Sequence, residues 1–423
     1  MTSNTQRSSS PDASTEPAPG TTLAFRLKKA ISGALPVTKR VDLPTYTSDI
    51  IGPIEPWDER EVLFARHDLF RYFGPDTQQY RAYYQAHPEH LAYDAKIDNL
   101  PALGRTGGID APMFDAPFEA VRKISADSSV DGQPTSQRTR IRPGRAAEKV
   151  KALARFLGAD LVGIGPLRQE WVYSHAGRSF GNSPGFQPWG TPIDLRGHTH
   201  AVALGFQMDY DLIQSAPDFP ALLATAKGYA DGAWVSVQLA QYIRALGYSA
   251  RAHHLYNYQV LVVPVAVDCG LGELSRAGFL LTRELGLGLR LAAVTTDLPL
   301  AHDKAVDIGV QSFCQACEIC AENCPIGAIP TGDKVTFNGL KKWKLDEEKC
   351  YRYWQAVGKD CGLCMTTCPW TKPRTWFHRA MAALATTKGP HQRLMAQADK
   401  LVYGPFKSAP RPDFIDPYEP PRP

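Results

Sequence analysis

The chain has 423 residues, 43% of them hydrophobic and 21% charged, enough for two or three globular units with sizeable cores. Its 47 basic and 43 acidic residues give a net charge of +4, too small and too evenly spread to make nucleic acid or an anionic membrane the main partner. No apolar run reaches the ~18 residues of a membrane-spanning helix; residues 260–267 are cut short by Asp268 and Gly270, so a soluble protein with no transmembrane segment is expected.

In chain order, residues 1–42 read as a disordered tail, since Pro, Ser, Thr and Gly dominate residues 2–21. That stretch has neither an apolar secretory core nor a twin arginine, which points to a cytoplasmic location. Residues 23–35 (LAFRLKKAISGAL) have the pattern of a short basic amphipathic helix, either a plain terminal helix or one that makes a peripheral membrane contact. Residues 43–145 are rich in Pro, Gly and aromatics and read as a wrapping segment of loops and short helices. Arg138, Arg140, Arg142 and Arg145 enclose Pro143 and Gly144 without interleaved aromatics, so they read as a solvated linker and not as an anion site.

From Arg145 the periodicity sharpens. Val150, Leu153, Ala154 and Leu157 recur at helical spacing before Gly158, and residues 161–164 make a short buried strand. Residues 200–206 (HAVALGF) form a second strand; Val235, Leu239, Tyr242 and Leu246 lie on one face of a second helix ending at Gly247; residues 259–267 are read as a third strand. Such alternation predicts a layered α/β core over residues 146–308.

Residues 309–375 hold eight of the nine cysteines. Cys314, Cys317, Cys320 and Cys324, followed by Pro325, reproduce the C-x2-C-x2-C-x3-C-P run of bacterial ferredoxins, in which three thiolates converge on one cubane and the fourth serves the other. The second run is Cys350, Cys361, Cys364 and Cys368, followed by Pro369. Crossing the fourth cysteines gives one 4Fe–4S cluster to Cys314, Cys317, Cys320 and Cys368, and another to Cys350, Cys361, Cys364 and Cys324. Zinc would want its ligands in two pairs, and disulfides do not suit such tight spacings in a reducing compartment. Cys269 stands apart and reads as a buried apolar residue. Residues 376–423 read as an irregular, Pro-rich C-terminal tail, too short for a fused reductase domain.

A two-cluster wire this small does not account for the whole chain, so the α/β part should hold a further redox centre. No G-x-G-x-x-G turn, no G-x-x-x-x-G-K-[ST] loop and no D-x-H-x-x-G run is present to name it.

Beyond the cysteines, residues 146–372 carry Gly228-Tyr229, YIRALGY at 242–248, VPVAV at 263–267, GLGEL at 270–274, Arg276-Ala-Gly278 and LRLAAVTTDLPL at 289–300. With these motifs the chain resembles the reductive dehalogenases, corrinoid and iron–sulfur enzymes that remove halide from organohalides. The resemblance implies a nitroreductase-like α/β (α+β) core that binds a base-off corrinoid, followed by the ferredoxin-like two-cluster module. It implies an oxidoreductase acting on a small organohalide, with a ferredoxin, a flavodoxin or a separate reductase as electron donor. It also implies that the Cys350, Cys361, Cys364 and Cys324 cluster is the one nearer the corrinoid.

Position by position, the resemblance puts the proton-donating tyrosine at Tyr229, its partner asparagine at Asn257 and an arginine at Arg290. Replacing halide by hydrogen takes two electrons and one proton, and a phenol, which ordinarily titrates near pH ~10, needs a cation beside it to release its proton. Tyr173 resembles a tyrosine near the corrinoid, and Gly270, Leu271, Gly272 and Glu273 a loop that lets backbone approach a planar ligand. Ordinary packing and an ordinary glycine turn are the plain alternatives for these two. The sequence departs from the family around Asn257, where Tyr256-Asn257-Tyr258-Gln259 replaces G-N-D-T after a longer loop. His253 and His254 in that loop are rival acids, or else exposed loop histidines. Epoxyqueuosine reductase, a tRNA-modification enzyme with the same cofactors, and an electron-transfer protein without dehalogenase activity are the alternative functions.

Overall fold

The computed structural model of the protein describes residues 38–416 except 106, 374 and 405. The helix expected at residues 23–35 and almost all of the expected N-terminal tail lie outside the described residues. Residues 38–42, read as part of that tail, are ordered instead: Lys39–Val41 forms a strand (β1).

The wrapping segment is built of helices, among them α1 Leu63–Tyr72, α2 Gln78–Ala86, α3 Pro88–Asp98 and α4 Ala111–Lys123. The basic linker is solvent-exposed at Arg138, Arg140, Arg142 and Arg145, as its composition predicts. Pro143 then opens α5, Pro143–Phe156, where its missing N–H costs nothing in the first turn, and Gly158 closes it at φ +115°.

Strands β2 Leu161–Pro166 and β3 His200–Gln207 follow, then the long helix α6 Phe219–Ala245, strand β4 Ala250–His253, helix α7 Val262–Asp268, the small hairpin β5 Glu273–Leu274 and β6 Leu280–Leu281, and strands β7 Leu289–Thr296 and β8 Ala305–Asp307. The central sheet is antiparallel in the order β2-β3-β7-β4, and β1 pairs with β8. Side chains alternate across it. Val202, Leu204, Phe206, Ala292 and Val294 pack against α5 and α6, while Ala201, Ala203 and Ala293 pack against α7 on the other face. The result is the helix–sheet–helix layering expected from the alternation.

One predicted strand is corrected. Of residues 259–267, only Val260 makes a β-bridge, an isolated one to Val172, and Val262–Asp268 is α7. Val265, Ala266 and Val267 are buried, so the run shows neither the 2.0 nor the 3.6 period, and its β-branched composition mimics a strand. Pro264 is the discriminating residue, because the first helical turn tolerates a missing N–H and a central strand does not.

The cysteine module begins with α8 Val310–Cys317 and continues through the hairpin β9 Val335–Phe337 and β10 Leu340–Lys342, whose Asn338-Gly339 turn has positive φ at both residues, to α9 Glu347–Val357. A second correction concerns the C-terminal region, which is not an irregular tail throughout: it carries α10 Trp376–Ala385 and α11 His391–Tyr403, and Ala385 and Ala396 join the core of the cysteine module. No helix among the described residues is long and apolar enough to cross a membrane.

Candidate active site

Tyr229 sits in the middle of α6, not at a helix start, and is half-buried. Arg290 belongs to β7, where it pairs in register with Phe206 of β3, so period-2 alternation sends its side chain to the α6 face along with Ala292 and Val294. The guanidinium carbon lies 5.1 Å from the centroid of the Tyr229 ring. Gly228 makes room for that approach: a Cβ there would meet Arg290 Cγ at 2.9 Å. The Gly-Tyr dipeptide thus combines the aromatic ring with the space its cation requires.

Three residues outside the predicted set hold the guanidinium. Its Nη2 donates to Thr225 Oγ1 at 2.6 Å and to the Asp360 carboxylate at 3.1 Å, and Nη1 to Met365 Sδ at 3.7 Å. Thr225 also donates to Asp360 at 2.6 Å, and the carboxylate is buried. Asp360 immediately precedes Cys361 and Met365 immediately follows Cys364, so the arginine is gripped by the cysteine module itself. The spacing of Thr225 and Tyr229, one helical turn apart, offers a signal for the first of these; nothing local marks Asp360.

The thiols of the module lie close together, and Cys320 and Cys364, assigned to different clusters, are also neighbours. Burial first, with neighbouring thiols adding to it, pushes four of them upward: Cys314 through Cys368, Cys320 through Cys314, Cys368, Cys364 and Cys317, Cys350 through Cys361 and Cys324, and Cys364 through Cys361, Cys350 and Cys324. Cys314, Cys317, Cys320 and Cys368 line a common cavity with Arg276 and Trp370. Buried thiols at such close quarters resist ionising against one another, so they suit a bound iron–sulfur core whose positive charge holds them as thiolates. Arg276 braces the first set: it is fully buried, donates from Nε to the Cys314 carbonyl at 3.0 Å and from Nη1 to Pro330 and Gly332, and lies 4.7 Å over the Trp343 ring.

Other predicted residues turn out to be committed elsewhere. The Asn257 amide oxygen accepts from Arg251 at 2.5 Å, and its nitrogen donates to the Ser125 carbonyl at 2.8 Å and to Asp127 at 2.9 Å. It locks the 250s loop to the end of α4, and its amide has no bond to Tyr229 among the described residues. His253 and His254 are buried, at 0% and 2% exposure, not exposed loop residues. Each is held below the usual imidazole range by burial and by Arg251, and His253 bonds Thr295 Oγ1 and the Gln259 amide. The reading of the two as exposed loop histidines is therefore corrected: both rings are turned into the protein.

Gly270, Leu271, Gly272 and Glu273 do not form an open cradle. A Cβ at Gly270 would meet the Lys304 carbonyl at 2.4 Å and one at Gly272 the Leu281 carbonyl at 2.2 Å, so the glycines admit the chain's own backbone. Leu271 packs against the core beside α7. Glu273 is buried and accepts from Thr45 Oγ1 and from the Ile308 and Val310 amides, tying the wrapping segment to the start of α8. Tyr173 is buried, its ring 5.9 Å from Tyr258, and burial raises its phenol well above the ordinary range. Cys269 is fully buried, as expected.

An aromatic wall leads away from Tyr229: Phe118 lies 6.3 Å from it, Tyr256 5.9 Å from Phe118, and Phe180 5.3 Å from Tyr256. Arg178 and Arg122 lie over the Phe180 ring at 5.3 and 5.1 Å. Phe118 comes from the wrapping segment, and no spacing rule relates it to Tyr229.

Fold and site define an iron–sulfur protein in which a two-cluster module is packed on a layered nitroreductase-like α/β domain, and a 4Fe–4S dicluster domain family model matches residues 313–372. Within that class the chain is similar to the reductive dehalogenases. It is 34% identical over 281 residues to the tetrachloroethene reductive dehalogenase of Dehalobacter restrictus, covering 57% of this chain and 50% of that one, and 33% identical over 291 residues to that of Sulfurospirillum multivorans, covering 62% and 58%. A solved catabolic reductive dehalogenase in complex with 3-bromo-4-hydroxybenzoic acid aligns with a TM-score of 0.70 at 28% identity, over 86% of this chain and 49% of that one. The chain spans about half the length of the curated relatives it matches.

Proposed function

We propose that the protein is a reductive dehalogenase, an oxidoreductase that replaces a halogen on a small organohalide by hydrogen, with Tyr229 as proton donor and Arg290 as the cation that stabilises its anion. The observation that carries this reading is the guanidinium 5.1 Å over the Tyr229 ring, held there by residues that flank two cysteines of the module. Cys314, Cys317, Cys320 and Cys368 hold one 4Fe–4S cluster, and Cys350, Cys361, Cys364 and Cys324 the other. The second is the nearer to the Tyr229 site, because Asp360 and Met365 adjoin its ligands.

The reaction consumes two electrons and one proton and yields the substrate with hydrogen in place of the halogen, together with a halide ion. A corrinoid, when bound, supplies the electrons to the carbon–halogen bond. The residues present fit such a group: Arg290 Nε is buried with no hydrogen-bond partner among the described residues, and the Tyr229 hydroxyl has none either, as in a site completed by a bound molecule. Tyr229 would hold and release the proton at its hydroxyl, and Arg290 would stabilise the phenolate across the ring face and through its fixed charge. Phe118, Tyr256 and Phe180 offer an apolar wall that excludes water from the developing anion. Asn257 would act only at a distance, by fixing the loop that carries Tyr256.

The test is to reconstitute the full chain with iron, sulfide and cobalamin and to measure bound corrinoid by absorption, then halide release from halogenated phenols with reduced viologen. Tyr229→Phe should abolish halide release while keeping iron and corrinoid. Absence of bound corrinoid, or full activity in Tyr229→Phe, would overturn the reading.

A further inference from the structure

We propose that the face formed by α10, α11 and the C-terminal end of α8 is the docking site for a small acidic electron carrier of the ferredoxin type, which delivers electrons to the cluster assigned to Cys314, Cys317, Cys320 and Cys368. This rests on the cluster assignment above and not on the dehalogenation chemistry.

Helix α11 packs on α8 through Ala396, and between them a surface cavity of about 430 Å³ has Cys317 in its lining together with Glu318, Arg393 and Lys400. A cluster ligand therefore lies directly beneath a solvent-open depression. The second thiol set abuts Asp360 and Arg290 instead, so the two clusters divide between an inner end and an outer one.

Around the depression the surface combines exposed apolar side chains with positive charge. Leu394, Leu401 and Val402 of α11 are 66%, 86% and 73% exposed, and Trp376 of α10 is 78% exposed. Across residues 376–403 the basic side chains are Arg379, Lys388, Arg393 and Lys400, and the acidic one is Asp399, itself paired with Lys372. Lys388 and Lys400 have partners in Asp307 and Glu322, while Arg379 and Arg393 have no ion-pair partner among the described residues. Glu318 and Glu322 lie at the edge of the same face, so the positive charge it leaves without an ion-pair partner among the described residues is that of Arg379 and Arg393.

An apolar centre with a basic rim is the anatomy of a transient protein interface that recognises an acidic partner, in which charge sets the rate of encounter. A lipid surface would use the same side chains, but it gives no reason for a cluster ligand to lie at the floor. In the step itself one electron leaves the reduced iron–sulfur centre of the carrier and enters the cluster; the carrier is oxidised by one electron, the cluster reduced by one, and no bond or proton moves.

The experiment mixes reduced plant-type [2Fe–2S] ferredoxin with the oxidised holoprotein anaerobically in a stopped-flow instrument and follows bleaching of the protein's iron–sulfur absorption, a readout that needs no organohalide. Reduction should slow at least tenfold in Arg393→Glu/Lys400→Glu, and should slow in the wild type as salt rises from about 20 to about 300 mM. Arg145→Glu/Lys149→Glu, on the remote surface of α5, should not slow it, and reduced methyl viologen should reduce every variant without slowing. Because Lys400→Glu also breaks the pair with Glu322, Arg393→Glu alone must reproduce the direction of the effect. Wild-type ferredoxin rates in the Arg393 variants would overturn the proposal. So would capture of the holoprotein by phosphatidylglycerol vesicles that the double variant loses while its ferredoxin rate stays unchanged, an outcome that assigns the face to a membrane surface.

Discussion

Arg290 and Tyr229 come from different layers of the fold, a strand and the helix packed on it, and the guanidinium carbon of the one lies 5.1 Å from the ring centroid of the other. The arrangement depends on Gly228, which leaves the arginine's stem room against α6, and on Asp360, which fixes the far side of the guanidinium.

Arg290→Lys keeps the charge but loses the planar fork that reaches Thr225 and Asp360 together while lying over the ring. Halide release should fall roughly 10- to 100-fold in kcat with little change in KM, and iron content should stay at the wild-type level. An unchanged kcat would show that charge alone suffices.

Asp360→Asn should lower kcat about tenfold by loosening the arginine, with a carboxamide still able to accept from Thr225. Because Asp360 is argued to act through Arg290, the double variant Arg290→Lys/Asp360→Asn should be little worse than Arg290→Lys alone. Full additivity in kcat would mean that the two residues work independently.

Crossed ligation has a spectroscopic consequence. Cys368→Ala should perturb the same paramagnetic signal as Cys314→Ala, and Cys324→Ala the same signal as Cys350→Ala, in spectra of the reduced protein. If Cys368→Ala instead matched Cys350→Ala, each run would serve its own cluster.

Stability should fall in mild acid. His254 is held down to about 4 in the folded protein, by burial first and then by Arg251, against 6.5 unfolded. A depressed histidine contributes no penalty above pH 6.5 and an increasing one as pH falls towards 4, where it amounts to about 3 kcal/mol in full. The wild-type Tm should therefore drop between pH ~7 and pH ~5, and His254→Asn should drop less steeply over that range. Parallel curves for the two proteins would show that His254 is not the group responsible.

Legibility in the sequence followed the range of the interactions. Helix α5 and strands β2 and β3 could be read from local periodicity, with Gly158 closing the helix, because their burial is one-sided and repeats along the chain. Helix α7 could not: it is too short and too buried for either period to show, and only Pro264 separates it from a strand. Helices α10 and α11 were hidden by the Pro-rich ends around them. Around the site, Tyr229 and Arg290 were named by motif, but the commitment of Asn257 to Ser125, Asp127 and Arg251 joins stretches far apart in the chain, and no spacing rule anticipates it.

What the sequence determined by itself is the two cysteine runs, because thiolates two residues apart can converge on one cubane and covalent spacing encodes that geometry directly, while the fourth ligand of each cluster comes from the other run. What only the tertiary structure decided is which neighbours those ligands bring with them. Asp360 and Met365 reach Arg290 because the loop after α9 packs against the face shared by α6 and β7, and Thr225 meets them there because strand register and helix packing, not sequence distance, set where side chains converge.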